Sequence, residues 1–230
     1  HGVARVDDRK VVSGIIHVIR NGLRWRDTPE IYGPHKTLYN RFIRWSRIGV
    51  FDQIFTALVE EHGAGSTDDR CDTPEGAPHR VQPVKRGDVP RLIGRTKGGL
   101  NSKLHAVCDD EGRPVRLLLT EGQQSDHKGA ATFLAYLPSA TEILGDKGYD
   151  SDAYRAALVK RGITPCIPPR AKRKNPATYC KALYKQRHKV ENMFAKLKDW
   201  RRIAMRYDRC AHVFLSAIQI AIAVIFCINQ

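Results

Sequence analysis

The sequence predicts a mixed α/β protein carrying a helical N-terminal region, and three observations lead to that class. Residues 100 to 198 alternate short apolar runs with amphipathic stretches, residues 7 to 63 show helical periodicity only, and the chain closes on one long apolar run. With 230 residues and 42% hydrophobic content the chain can bury a substantial core. Its 39 Lys+Arg against 24 Asp+Glu give a net charge of +15, which favours a polyanionic partner, nucleic acid first. Ribosomal and membrane-surface proteins share such a charge, so the excess names a class of partner and no chemistry.

In the N-terminal region the periodicity is broken by turns at residues 21 to 22, 28 to 34 and 48 to 50, which predicts three helices. The middle one, "HKTLYNRFIRWSR", starts just after Pro34 and sets Leu38, Phe42 and Trp45 on one face, with Arg41, Arg44 and Arg47 pointing elsewhere. That pattern suits a recognition helix and equally an ordinary amphipathic helix with a solvated basic face. Residues 64 to 99, rich in Gly, Pro, Asp and Arg, show no period and read as an irregular linker.

Order returns with "SKLHAVCD" and "PVRLLLTEG", two strands joined by the turn "DEGR". A helix near 126 to 137 follows. "TEILGD", residues 141 to 146, then has the pattern of a short buried strand whose tip is Asp146. A helix near 151 to 161, a strand "TPCIPP" and the basic loop "PPRAKRKNP" come next. Like charges in that loop, Lys172, Arg173 and Lys174 among them, would stay solvated until a polyanion arrives.

The stretch "ALYKQRHKVENMFAKLKDW", residues 182 to 200, lacks Gly and Pro, and its Leu183, Val190, Phe194 and Leu197 recur at helical spacings, so one helix is expected. At about 100° per residue, Tyr184, Arg187, Glu191 and Lys198 fall within roughly 60° of one another. Glu191 can therefore be an ordinary ion-pair partner of Arg187 or Lys198, or a working carboxylate. A carboxylate at a strand end and another on a helix, inside a basic α/β domain, suit metal-assisted phosphoryl transfer. Mg²⁺ takes hard oxygen ligands, and a pair of ions about 4 Å apart stabilises both attacking and leaving oxygens.

Six cysteines form no C-x-x-C pair and no zinc-type Cys/His cluster, which reads as reduced thiols. The chain begins at His1 without an initiator Met, a signal region or a transit pattern, so an upstream start and a cytoplasmic location are expected. The final run "AHVFLSAIQIAIAVIFCINQ" is interrupted by His212, Ser216 and Gln219, and reads as a buried terminal helix in a protein that does not enter a membrane.

The spacing Y-x2-R-x3-E-x6-K formed by Tyr184, Arg187, Glu191 and Lys198 resembles the signature of the DDE transposases of bacterial insertion sequences, of the four/five type. "LGDKGYDSDAYRAAL" resembles the family segment around its second aspartate, here Asp146. "IGRTKGGLNSKLHAVCD", "GRPVRLLLTEGQQSD" and "NGLRWRDTPEIYGPHKTLYNRFIRWSRIGVFD" are also similar to family segments, so the resemblance spans nearly the whole chain. It implies a mixed sheet flanked by helices, similar to ribonuclease H, over residues 100 to 230, behind a helix-turn-helix-like DNA-binding region at 1 to 63. It implies Mg²⁺ (or Mn²⁺) held by Asp72, Asp146 and Glu191, with Tyr184, Arg187 and Lys198 on the DNA backbone. Double-stranded DNA, cleavage and strand transfer at element ends, and a homo-oligomer on DNA follow from the same resemblance.

The first catalytic aspartate is where the resemblance departs. In place of an apolar strand the chain has "STDDRCDTPEGAPHRVQP", with charges at 68 to 70 and prolines at 74 and 78, which is unlike a central strand. A coding sequence compatible with residues 68 to 83, read one nucleotide later, encodes Met-Ile-Asp-Ala-Thr-Pro-Leu-Lys-Ala-His-Arg, the family's pattern. Compensating frame shifts between about 63 and 85, a damaged first strand and Asp72 as a substitute ligand are therefore expected. The alternative is a catalytically inactive DNA-binding relic or repressor of the element.

Overall fold

The structure, a computed structural model, describes residues 5–63 and 90–228. The three expected N-terminal helices form. Helix α1 (Asp8–Asn21) is capped by Asp7, whose side chain accepts the Arg9 N–H at 3.0 Å, and it buries Val11, Ile15, Val18 and Ile19 along one stripe. Helix α2 (His35–Arg47) starts directly after Pro34 and buries Leu38 and Phe42. Helix α3 (Val50–Gly63) follows.

Two compact units divide the chain: His1–Arg91 with Phe194–Gln230, and Leu92–Met193. The C-terminal segment thus groups with the N-terminal helices, where sequence reasoning places it in a core spanning 100 to 230. The physical reason lies in apolar faces that need one another. Helix α9 (Ala211–Ile222), continued by a π-helical stretch Ala223–Ile228, packs against α1, α2 and α3. The span Ala211–Ile228 is long and apolar enough to cross a membrane, with mean hydropathy 2.4, yet 72% of it is buried within the protein. Its polar residues are absorbed: Gln219 donates to Asp52 of α3 at 2.6 Å and Ser216 to the His212 carbonyl at 2.9 Å. Helix α8 (Arg201–Ala204) supplies Arg202, which donates to Asp208 twice at 2.8 Å and to the Leu23 carbonyl at 3.2 Å, and stacks on Trp25.

In the second unit, β1 (Gly94–Thr96), β2 (Gly99–Cys108) and β3 (Pro114–Glu121) form an antiparallel sheet in that order. Residues 94 to 96, which sequence reasoning assigns to an irregular stretch, are therefore a strand. The β2–β3 turn is closed by Asp109, whose carboxylate accepts the N–H groups of Glu111 and Arg113, with Gly112 at φ 84° where a side chain would be strained. Helix α4 (Asp126–Leu134) comes next, then β4 (Glu142–Leu144), α5 (Asp152–Lys160) and β5 (Thr164–Cys166). Strands β4 and β5 pair in parallel as a separate sheet. Instead of one mixed sheet, the described residues hold two. The short parallel ladder has a local cause, since Pro165 within β5 and Pro168 just beyond it lack the donors that would extend it. Phe133, Leu137, Leu158, Ile163 and Ile167 form the buried core, with Leu118 and Ile143 packed on it.

The expected single helix over 182 to 200 is built in pieces: α6 (Lys181–Tyr184), a 3-10 turn Lys185–Arg187, and α7 (His188–Lys198). The tightening coincides with His188, whose Nδ1 donates to the Lys185 carbonyl at 2.8 Å and competes with the main-chain donor of a regular turn. The chain nevertheless stays right-handed helical at Tyr184, Lys185 and His188. Met193, not counted among the apolar positions of this stretch, is buried with Leu197.

Candidate active site

Asp146 sits where the β4 ladder runs out. The Gly145 N–H still donates to the Cys166 carbonyl at 3.2 Å, and Asp146 is the next residue. It then caps a 3-10 turn, Lys147–Tyr149, by accepting the Lys147 N–H at 2.6 Å. Its carboxylate is exposed, and it lines an open depression of about 670 Å³ with Asp126, Lys147, Gly148, Pro169, Arg170 and Ala171. Asp126, at the start of α4, pairs with Lys103 of β2 at 2.9 Å.

The sheet holds this turn from beneath. His105 on β2 is buried, one ring nitrogen 2.8 Å from the Tyr149 hydroxyl and the other 3.0 Å from Thr120 Oγ1. Gly129 of α4 makes the approach possible, since a Cβ there would stand 2.7 Å from the His105 ring. Burial lowers the His105 pKa from its ordinary 6.5, with the Asp126 carboxylate opposing and Lys103 assisting. Burial likewise raises the Tyr149 phenol well above the usual range, helped by Asp126 and Asp146.

Three residues of the expected strip are in contact. Arg187 lies 5.8 Å from the Tyr184 ring centroid and donates to Glu191 Oε1 at 2.5 Å. Glu191 is 62% exposed, so the ion pair named in the sequence is present, on a side chain open to solvent. Burial raises the Tyr184 pKa, Arg187 lowers it, and the Asp146 charge raises it again. Lys198 is exposed.

Asp72 lies outside the described residues, as does the stretch expected to be frame-shifted. Of the six cations assigned to DNA, Arg44, Arg47, Lys172 and Lys174 are exposed. Arg41 is bound to Asp8 and stacks on Trp45. Arg173, 15% exposed, is bound to Asp150 and Asp152. Both arginines are therefore held by carboxylates rather than presented to solvent, and the basic loop expected to be loose is anchored by Arg173.

Sequence reasoning passed over three residues that shape the site. Asp126 and Arg170 share the depression with Asp146, and Asp150 is buried behind it. Burial pushes the Asp150 carboxyl up, but the Arg170 N–H and the guanidinium groups of Arg155 and Arg173 outweigh it and hold it below the usual range. Asp150 falls inside the quoted "LGDKGYDSDAYRAAL", yet no spacing marks it as an anchor. Burial and then Asp109 push the Cys108 thiol up to about 12, which suits a structural thiol and not a nucleophile at that position.

The donor set suits a hard divalent cation. Asp146 and Glu191 offer solvent-facing carboxylate oxygens, the ligands Mg²⁺ and Mn²⁺ take. Among the described residues no group of three His, Cys, Asp or Glu side chains could hold a metal together.

Comparison with known proteins places the chain in a class. The family model "Transposase DDE domain" matches residues 90–226, and "Putative transposase of IS4/5 family" matches residues 1–55. The chain is 34% identical over 128 residues to "Putative transposase for insertion sequence element IS6501" of Brucella ovis, a match covering 55% of this chain and 98% of that protein. It is 32% identical over 142 residues to "Putative transposase for insertion sequence element IS402" of Burkholderia cepacia, covering 54% and 65%. It is 31% identical over 118 residues to "Transposase for insertion sequence element IS1106" of Neisseria meningitidis serogroup B, covering 49% and 40%. No solved structure matches the chain. The chain belongs to the DDE transposase family of insertion sequences. Its function is accordingly that of an insertion-sequence transposase, a DDE-type enzyme acting on DNA.

Proposed function

We propose that the protein cleaves DNA at the ends of its insertion element and joins the freed 3′-hydroxyl to target DNA, with Asp146 and Glu191 as two of the carboxylates that organise both steps. What supports this reading is the exposed Asp146 carboxylate at the end of β4, together with the Tyr184–Arg187 and Arg187–Glu191 contacts on the helical segment that follows the basic loop. Asp146 and Glu191 would hold Mg²⁺ or Mn²⁺ with Asp72 as third ligand, and the bound ions would neutralise charge at the reacting phosphodiester. Arg187 keeps donors beyond the one spent on Glu191, and these suit a phosphate oxygen in the fork geometry a guanidinium prefers. Tyr184 would present its phenol hydroxyl as a donor toward the backbone near the cut. Lys198, Lys172 and Lys174 add cations along the approach of the duplex. In-line displacement at phosphorus needs no covalent enzyme intermediate, so positioned carboxylates and cations suffice.

The wider proposal follows the family. The family match over residues 90–226 implies a core related to ribonuclease H, and α2 would read or grip DNA through Arg44 and Arg47 in a helix-turn-helix-like region. Joining two element ends requires at least a dimer on DNA, working in the cytoplasm. The test is cleavage of a labelled element end with Mn²⁺ or Mg²⁺. Asp146→Asn is expected to lose cleavage while keeping DNA affinity, and full cleavage by that variant would overturn the assignment. Asp72→Asn in the same assay separates the two remaining readings. If the unaltered chain cleaves and this variant does not, Asp72 is a ligand, whereas an unaltered chain that binds but never cleaves is the inactive relic.

A further inference from the structure

Four residues beyond Asp146 the chain buries a second aspartate. The Asp150 side chain is 1% exposed, and its Oδ1 accepts from Arg155 Nε and Arg173 Nη1, each at 2.8 Å. Its Oδ2 accepts the main-chain N–H of Arg170 at 2.9 Å. Arg155 comes from α5 and also donates to the Ile167 carbonyl at 2.5 Å, so Asp150 draws together α5 and the basic segment that follows β5.

The arrangement then closes on itself. The Arg170 guanidinium returns to the turn that Asp146 caps: Nη2 donates to the Gly148 carbonyl at 3.0 Å and Nε reaches the Lys147 carbonyl at 3.3 Å. Nη2 also lies 2.5 Å from His127 Nε2, which must accept, leaving the imidazole proton on Nδ1. A ring thus runs from Asp150 through Arg170 to the Lys147–Gly148 carbonyls and back along Tyr149, whose hydroxyl is tied to His105. A buried ion pair kept for stability alone has no need to engage the peptide groups beside an exposed carboxylate. Here the Asp150 carboxylate also holds the Arg170 main chain, and the Arg170 guanidinium engages those peptide groups and shares the depression with Asp146 and Asp126.

We infer that Asp150 is a positioning residue for Asp146: it anchors the basic segment so that Arg170 clamps the turn carrying the Asp146 carboxylate. This rests on the proposed role of Asp146 as a metal ligand. Groups that orient a ligand from behind characteristically change metal affinity by about 10- to 100-fold when lost. A residue acting only on global stability changes the fraction folded and leaves the metal requirement of each folded molecule alone.

The experiment uses the full chain with Asp150→Asn and, because that change leaves Arg155 and Arg173 without their buried anion, also Arg170→Gln, which keeps the Arg170 main-chain contact. Hydrogen exchange without metal or DNA is read at residues 146 to 150 and 167 to 173, and the Mn²⁺ concentration giving half-maximal end cleavage is measured beside DNA affinity. Expected are at least about 10-fold faster exchange in both segments, unchanged exchange in α1, a roughly 10-fold higher Mn²⁺ requirement and DNA affinity within about twofold. Normal exchange at 146 to 150 with a normal Mn²⁺ requirement in Arg170→Gln overturns the inference, whether or not Asp150→Asn folds. A loss of activity without a change in Mn²⁺ requirement overturns it as well, by reducing Asp150 to a stability role. Asp146→Asn run in parallel separates the two proposals: if it cleaves normally the metal-ligand reading fails, while the exchange data still decide whether Asp150 and Arg170 hold the turn.

Discussion

Glu191→Gln separates two roles that the structure superimposes on one side chain. The Arg187–Glu191 pair spans 2.5 Å with side chains 25% and 62% exposed, an i,i+4 contact open to water. Such pairs stabilise by about 0.3–0.5 kcal/mol. In a chain of this size that corresponds to a fall in Tm of about 1–2 °C, and Gln retains an oxygen for Arg187. If Glu191 were only an ion-pair partner, cleavage would be almost unchanged. As a ligand acting on a phosphodiester it contributes several kcal/mol to the transition state, and about 4 kcal/mol is roughly a 10³-fold rate loss. The assay is single-turnover cleavage of a labelled element end with Mn²⁺, with thermal unfolding and DNA affinity measured on the same preparation. The expected result is near-normal melting and binding with cleavage down by about three decades. Cleavage retained within about 10-fold, or DNA binding lost together with cleavage, would refute the assignment.

DNA affinity should fall steeply with salt, and Lys172→Ala with Lys174→Ala should lower the slope of log K against log salt by about 2, since each phosphate contact contributes about 0.9. A slope that stays put would remove these lysines from the interface. Stability should fall as pH drops below about 6.5: burial lowers the folded-state pKa of His105 and His212 beneath 6.5, so their stabilisation is complete above that value and is lost on acidification toward the folded pKa. Urea unfolding at pH 7.5 and pH 5 measures this, and His212→Leu should flatten the difference. Asp150 behaves in the same sense at lower pH, contributing stability above its unfolded pKa of about 3.9 and losing it as pH falls through its depressed folded value.

Strand and helix positions in the second unit were legible because they rest on local period. "SKLHAVCD" and "PVRLLLTEG" pair as β2 and β3, and the Asp109–Gly112 turn between them is written in four consecutive residues. Asp146 at a strand end and Glu191 on a helix were legible for the same reason. The 3-10 turn at Lys185–Arg187 was not, because it coincides with a His188 side-chain bond to a carbonyl, which competes with the regular turn and leaves no periodic trace.

What the sequence by itself determined is the basic excess that calls for a polyanion, and most of the elements with the Tyr184–Arg187–Glu191 strip, the last two fixed by neighbours within about two helical turns. Tertiary structure alone decided which charges stay open to solvent. Arg173 reads as a free cation until Asp150, 23 residues away, is folded against it, and Arg170 meets His127 across 43 residues. It also decided that the C-terminal helices complete the N-terminal unit, through Gln219 and Asp52 across 167 residues and Arg202 with the Leu23 carbonyl across 179. Contacts at such separations leave no periodic mark on the chain, because they form only where buried charge must find a partner and apolar faces must find cover once the elements exist.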